Sequence, residues 1–357
     1  MNRMNLRLRR ALRRGGLLVG ALLLLAFLVL NVIAYRQARA MTHYTTDREA
    51  TPKLETLSAF GKAKVLLLGA QSPRPSNRKT PLDFGLEFEV IRLTGSHGLP
   101  LEAWFVPHAQ ARGIVLLFHG HASSKASLLA ASKSFHEMGF EALLVDFYGS
   151  GGSGGAENSV GYHEAADVAA ACAWAGSKHG PVILYGVSMG ATAILRAVDL
   201  HQAQPAALVL ECPFDRLVNT VGNRFRMMGL PAFPFAQLLV FWGGVQQDID
   251  GFALCPTDYA RSVRCPTLLM AGEADRRVAV ADTRSVYANL SGPKSLKLFP
   301  GLGHESYLAA RPEEWQATVG AFLDQSLRRS AEAPTTDSYR RQPAGASVEL
   351  SQGRERF

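Results

Sequence analysis

From Gly113 onward the chain alternates short, fully apolar runs with longer amphipathic stretches. The runs are GIVLLF, EALLVDF, PVILYGV, AALVLE, PTLLMAG and SLKLFP, and between several of them lie KASLLAASKSFHEMG, HEAADVAAACAWAGSKHG and MGATAILRAVDLHQA, whose apolar residues recur at helical spacing. A run apolar on both faces predicts a strand covered from both sides, and strands alternating with helices predict a parallel sheet between two helical layers. Upstream, LEFEVIRL (86–93) and LPLEAWFVP (99–107) alternate apolar and polar side chains about a glycine-containing turn, the pattern of an antiparallel hairpin. The whole predicts a doubly wound α/β domain over residues 81–330 with an antiparallel leading edge. One interval, about 213–264, breaks the alternation: its apolar block MMGLPAFPFAQLLVFWGG is too interrupted by Pro and Gly to be a sheet-layer helix. It is expected to form a cap, against the plainer reading of a core excursion that never meets a ligand.

The N-terminus follows a different pattern. Residues 15–34 contain no charge and at ~1.5 Å rise per residue would span ~30 Å, so they predict one transmembrane helix. Six arginines precede this run and two follow it, which places the basic segment 1–14 in the cytoplasm and the rest across the membrane. Cleavage as a signal peptide is the alternative, because Ala38-Arg39-Ala40 offers a small-residue site, but the apolar run exceeds the ~7–15 residues of a signal-peptide core. The Ala-, Leu- and Arg-rich, Lys-poor composition points to a GC-rich bacterial genome. An inner-membrane protein with its body in the periplasm is therefore expected, or a secreted one if cleaved near Ala40.

Charge changes the picture by its location. The net charge is +8, and the eight arginines of residues 1–40 account for all of it, leaving 41–357 balanced. No basic face remains for nucleic acid. Residues 35–80 read as a juxtamembrane spacer, and 331–357, polar and aperiodic, as a disordered tail. Of four cysteines, Cys255 and Cys265 are the one plausible disulfide pair in an oxidising compartment, with burial as free thiols the commoner outcome.

Candidate chemistry centres on Gly186-Val187-Ser188-Met189-Gly190, a G-x-S-x-G placed directly after an apolar run and directly before a helical one. In such a strand-to-helix elbow the serine is lifted above the sheet, and the glycines remove Cβ clashes. A second match, 151–155, lacks a following helix and reads as a flexible loop. A serine nucleophile needs a base and an orienting acid. His304 lies in a glycine-containing loop after the last predicted strand, and Asp275 follows PTLLMAG, giving the chain order Ser188, Asp275, His304 on three post-strand loops, where open α/β sheets bind ligands. Glu211 and Glu273 compete for the acid role. The oxyanion donors are expected to be the backbone N–H groups of Met189 and His121, with Ala122 as the alternative to His121. His119-x-His121 could pair on a metal, but no Asp-His or Glu-x-x-His completes the set, so His119 reads as a loop brace and no metal is expected.

With these residues in place the chain resembles the α/β-hydrolase fold serine hydrolases, and within them is similar to the Bem46-like and serine aminopeptidase S33-like groups. The likeness rests on His119-Gly120, the segment Asp146–Gly154 (DFYGSGGSG), the Ser188 elbow, Cys265-Pro266-Thr267 leading to Gly272 and Asp275, and Gly303-His304, and it covers about 80–328. Tyr148 departs from the pattern, since relatives commonly carry Arg there. The resemblance implies eight strands, a cap after the sixth, no cofactor, and hydrolysis of an ester, thioester or amide. Two other classes compete. Residues 149–154 literally match G-x-G-x-x-G, but no helix opens there and the next predicted strand ends at Ser188 rather than at an acid. A hydrolase-like binding protein would need no intact Ser, Asp and His set. The reading is therefore a membrane-anchored serine esterase taking a small acyl or lipid-like substrate, with a peptidase of the same fold as alternative.

Overall fold

The computed structural model describes residues 3–45, 58, 60, 61, 64, 65, 69, 72–176 and 178–332. Eight strands form one sheet: β1 (Glu89–Thr94), β2 (Pro100–Val106), β3 (Ile114–Phe118), β4 (Glu141–Val145), β5 (Val182–Val187), β6 (Ala207–Glu211), β7 (Thr267–Gly272) and β8 (Lys294–Phe299). Their order is β1-β2-β4-β3-β5-β6-β7-β8. Strand β2 runs antiparallel to both neighbours, and every other pair except β1–β2 and β2–β4 is parallel. The antiparallel leading hairpin and the parallel remainder are as the periodicity predicts.

The apolar runs are explained by burial on two faces. Ile114, Leu116 and Phe118 of β3 enter one core, together with helices α3 (Glu164–Ala175) and α4 (Met189–Leu200). Val115 and Leu117 enter the other, with α2 (Leu129–Glu137) and α10 (Pro312–Glu332), whose Trp315, Val319 and Leu323 are fully buried. Each such aliphatic or aromatic side chain contributes about 1.5–3 kcal/mol by leaving water. Between β6 and β7 the chain leaves the sheet for α5 (Leu217–Met227), α6 (Phe235–Gln247) and the short α7 (Pro256–Tyr259), and α8 (Val280–Asn289) and α9 (Tyr307–Ala310) follow β7 and β8. Helices α5 and α6 are the interval expected as a cap.

Helix α1 (Arg3–Thr42) is longer than the expected span. Its apolar side chains from Leu12 to Val29 are exposed, and from Asn31 onward it lies along α6. Trp242 Nε1 donates to Asn31 Oδ1 (3.0 Å), Gln246 Nε2 to the Tyr35 carbonyl (2.8 Å), and Tyr35 meets Trp242 edge-on at 5.5 Å. The segment 35–80, expected as a spacer, thus begins as docked helix; 46–57 and most of 59–71 lie outside the described residues. So does the expected tail beyond Glu332, the last residue of α10. Cys255 and Cys265 are free thiols and form no disulfide.

The second glycine match is a bonded turn, not a flexible loop. It wraps the buried carboxylate of Asp146, which accepts from Gly152 N–H (2.8 Å), Lys125 N–H (2.8 Å) and Asn77 Nδ2 (2.7 Å), while Ser153 Oγ donates to the Asp146 carbonyl (2.6 Å). Lys125, fully buried, completes the cluster: its ammonium pairs with Asp146 and with Glu102 (2.9 Å) and lies 4.3 Å from the centre of the Trp104 ring. Tyr148 N–H donates to Asp167 (3.1 Å) and its hydroxyl reaches Glu157 (3.4 Å), which gives the departing tyrosine a place in the turn.

Candidate active site

Ser188 stands between β5 and α4 with φ 53° and ψ −109°, a conformation that costs a non-glycine residue about 1–3 kcal/mol. The surroundings enforce it. Ser188 N–H donates to the Glu211 carbonyl (2.8 Å), tying the elbow to the end of β6. A Cβ at Gly190 would lie 2.3 Å from the Phe118 carbonyl oxygen, so only glycine lets α4 press against the end of β3. This contact places the His119–Ala122 loop beside the serine: a Cβ at Gly120 would be 3.8 Å from Ser188 Cβ. Met189 N–H opens α4, where helical geometry supplies no upstream acceptor.

The second and third residues meet through an equally close approach. A Cβ at Gly272 would lie 2.4 Å from the Leu302 carbonyl oxygen, so the loop after β8 folds over the end of β7. Ala274 N–H donates to that carbonyl (2.8 Å), and Tyr307 Oη accepts from Gly272 N–H (2.8 Å). Across this contact His304 Nδ1 bonds Asp275 Oδ2 at 2.7 Å, while Asp275 Oδ1 accepts from Arg277 N–H (2.8 Å) and Val278 N–H (2.9 Å). Asp275 is buried and His304 partly exposed.

Neither competing acid is at this position. Glu273 is exposed. Glu211 shares its face of β6 with Ala207 and Val209, the face covered by α2 and α10, and its Oε1 accepts from Trp315 Nε1 (2.7 Å) and Tyr185 Oη (2.8 Å). Burial raises this carboxyl to about 7, against the smaller opposing effect of the two donors. The folded state therefore holds a proton that the unfolded chain releases near the ordinary glutamate range. Stability from this site is present at low pH and declines as pH rises from about 4.5 to about 7. Glu211→Gln is expected to match the parent at pH 5 and to exceed it at pH 8 by on the order of 2–3 kcal/mol, several degrees in thermal midpoint. Equal midpoints for the two proteins at pH 8 would refute a buried, proton-holding Glu211.

The histidines of the β3 loop have distinct tasks. His119, fully buried, bonds the Gly120 carbonyl through Nδ1 (2.8 Å) and accepts Phe147 N–H at Nε2 (3.1 Å), so its ring is neutral and braces two loops. His121 turns its Nε2 to the Met41 carbonyl of α1 (2.9 Å). Burial, then the nearby Arg224, lowers it to about 4, so that ring is neutral too. Cys212, unassigned by sequence, lies with its sulfur within 4.8 Å of the donor atoms of Asp275 and His304. These three are a poor metal set, because both Asp275 oxygens are already bonded and burial pushes the Cys212 thiol well up, away from thiolate.

Beside the loop is an apolar cavity of about 50 Å³. Its walls come from α5 (Leu217, Val221), α6 (Leu239, Val240) and, unforeseen in the sequence, α1 (Ala38, Met41), with His121 and Arg224 at its polar side.

The fold has counterparts in known structures. An esterase of Pyrococcus furiosus superposes over 71% of this chain and 96% of its own with a TM-score of 0.60 and 23% identity. This chain has the α/β-hydrolase fold. The serine aminopeptidase S33 family model matches 109–249 of this chain, a span that holds the β3 loop, Ser188 and helices α5 and α6 but stops short of Asp275 and His304. Among curated relatives, a Mycobacterium tuberculosis protein of uncharacterized function is 29% identical over 214 residues, 58% of this chain and 69% of the relative. A Bacillus subtilis protein, likewise uncharacterized, is 22% identical over 244 residues, 67% of this chain and 80% of the relative.

Proposed function

We propose that this α/β-hydrolase is a membrane-anchored serine esterase that works through Ser188, His304 and Asp275. The observation that carries the reading is the 2.7 Å His304–Asp275 bond, made by the loops after β7 and β8 of the same sheet whose β5 ends in a serine held at a strained strand-to-helix elbow. In this mechanism His304 takes the Ser188 proton as the oxygen attacks an acyl carbonyl, and Asp275 holds the imidazole in the tautomer that presents a free nitrogen. The amides of Met189 and His121 receive the developing oxyanion, His304 returns the proton to the leaving alcohol, and water then releases the acyl group by the same steps. The apolar cavity suits a short acyl chain: about 50 Å³ is a third of the ~150 Å³ that takes a benzene. The match to the S33 family supports a second reading, a peptidase. A panel of p-nitrophenyl esters from acetate to laurate against aminoacyl anilides separates the two. The esterase predicts faster turnover of acetate and butyrate, and faster anilide cleavage would overturn it.

Retention of α1 belongs to the same proposal. Ala38 is 2% exposed, the Met41 carbonyl accepts from His121 and from Asn158 Nδ2 (3.2 Å), and the Thr42 carbonyl accepts Asn158 N–H (2.8 Å). Cutting after Ala40 would remove one wall of the cavity and unravel the turn that holds the rest. The exposed apolar stretch N-terminal to the docked part is of a kind that soluble surfaces rarely carry and a bilayer accommodates. Intact mass of the protein extracted from membranes is expected to include residues 1–40; a soluble species beginning at Met41 would rule this out.

A further inference from the structure

Arg224 on α5 lines the cavity, and no carboxylate among the described residues lies within ion-pairing distance of it. Arg277 is its neighbour. The Arg277 carbonyl accepts Thr220 Oγ1 (3.1 Å) and Asn223 Nδ2 (3.2 Å), which fastens the residue to the turn of α5 just before Arg224, and Arg277 also has no ion-pair partner among the described residues. Three acids of the adjoining segments are otherwise engaged: Asp215 accepts from Arg216 N–H and Asn219, Asp282 from Asn223 and Ala279 N–H, and Asp275 is bonded to His304 and accepts from two backbone N–H groups. Burial and the Arg277 charge together depress Arg224 to about 10, so the guanidinium is held in a place unfavourable to it. Both arginines act electrostatically on His121, whose loop adjoins Ser188.

Two guanidiniums that repel one another, Arg224 half-buried and Arg277 exposed, and neither paired among the described residues, are balanced once an anion sits between them. Their position decides which anion. Arg224 lines a cavity whose walls are mostly apolar, next to the loop that adjoins Ser188, and Arg277, exposed, is fastened to the same turn of α5. We propose that the substrate is an ester bearing a phosphate or carboxylate, with its short acyl part in the apolar cavity and its anionic group held by Arg224 and Arg277. This rests on the esterase reading and narrows it to a substrate class.

The test compares three butyryl esters at fixed ionic strength with the full-length protein in detergent: 1-butyrylglycerol, 1-butyrylglycerol 3-phosphate, and the carboxylate butyryloxyacetate. At least one anionic ester is expected to exceed the neutral one at least tenfold in kcat/KM, and whichever does identifies the anion. In Arg224→Gln and in Arg277→Gln that ratio is expected to fall to threefold or less. Because the ratio is taken within each protein, a partly unfolded variant does not mimic the result. Equal turnover of neutral and anionic esters by the parent, or a ratio unchanged in both variants, would overturn the proposal. Failure of the esterase reading shows separately, as absence of a fluorophosphonate adduct on Ser188. In that case calorimetry on the Ser188→Ala protein still decides: 1-butyrylglycerol 3-phosphate must bind more tightly than 1-butyrylglycerol, and Arg224→Gln must abolish the difference.

Discussion

Ser188→Ala is expected to lower kcat for ester hydrolysis by roughly a millionfold, with no covalent adduct on treatment with a fluorophosphonate. In the proposed mechanism the loss is so large because nucleophile, base and acid act as a unit. Without the serine hydroxyl, His304 has no proton to take, and only the oxyanion donors and binding remain, worth about 10³–10⁴ over water. His304→Ala is expected to match it. Asp275→Asn should cost less, roughly 10⁴, because the amide oxygen can keep the Arg277 and Val278 N–H bonds while its NH₂ group forces the imidazole into the wrong tautomer. Single-turnover kinetics on purified variants check the series. A Ser188→Ala protein retaining more than about 1% of parental kcat would remove Ser188 from the chemistry.

Lys125→Met is expected to destabilise the fold by about 3–5 kcal/mol, the range for breaking a buried ion pair from one side. Burial alone would raise the Asp146 carboxyl. Lys125 and the surrounding donors reverse that, and the group lies below the ordinary aspartate range. Removing the ammonium leaves two carboxylates, Asp146 and Glu102, around an apolar side chain. Glu102 keeps Arg92 (2.9 Å), whereas Asp146, fully buried, has no other cation paired with it among the described residues. The sign with pH follows: the depressed carboxyl contributes stability at neutral pH that is lost as pH falls through its lowered folded value, so the difference between parent and variant should narrow in acid. Thermal midpoints at pH 7 and at a series of values below pH 3.8 measure this. A Lys125→Met protein within 1 kcal/mol of the parent at neutral pH would mean that the cluster is not under electrostatic tension.

The sequence made some of this legible and not the rest, for physical reasons. Ser188, Asp275 and His304 are readable because each sits in a loop directly after an apolar run, and a parallel sheet brings all such loops to one edge. Glu211 is readable as a strand-end acid, but which face it takes depends on parity within β6 and on which face carries the cap. Lys125 opens an amphipathic stretch and looks like an ordinary solvated helix start. Its burial comes from Trp104 and Glu102, more than twenty residues upstream, and from Asp146, as far downstream. The hydrogen bond from His121 to Met41 joins residues 80 apart in sequence, and nothing in the periodicity of α1 distinguishes its exposed turns from those that dock. Arg224 looks like one more charge on a helix, and only the absence of a facing acid among the described residues sets it apart.

Helix α1 runs unbroken from the apolar stretch to the wall of the cavity, and this gives it the mechanics of a lever. A flexible tether would let the body swivel and would isolate it from whatever its anchor does. Here the eight residues from Tyr35 to Thr42 are a rigid arm of roughly 10–12 Å. Trp242 at Asn31, Gln246 at Tyr35 and His121 at Met41 hold α1 at three heights. With the apolar stretch in a bilayer, tilting it to suit a thinner or thicker membrane would move Ala38 and Met41 against α5 and α6 and so reshape the cavity. Membrane thickness would then act on this molecule as torque does on a hinged wall, without any ligand binding elsewhere.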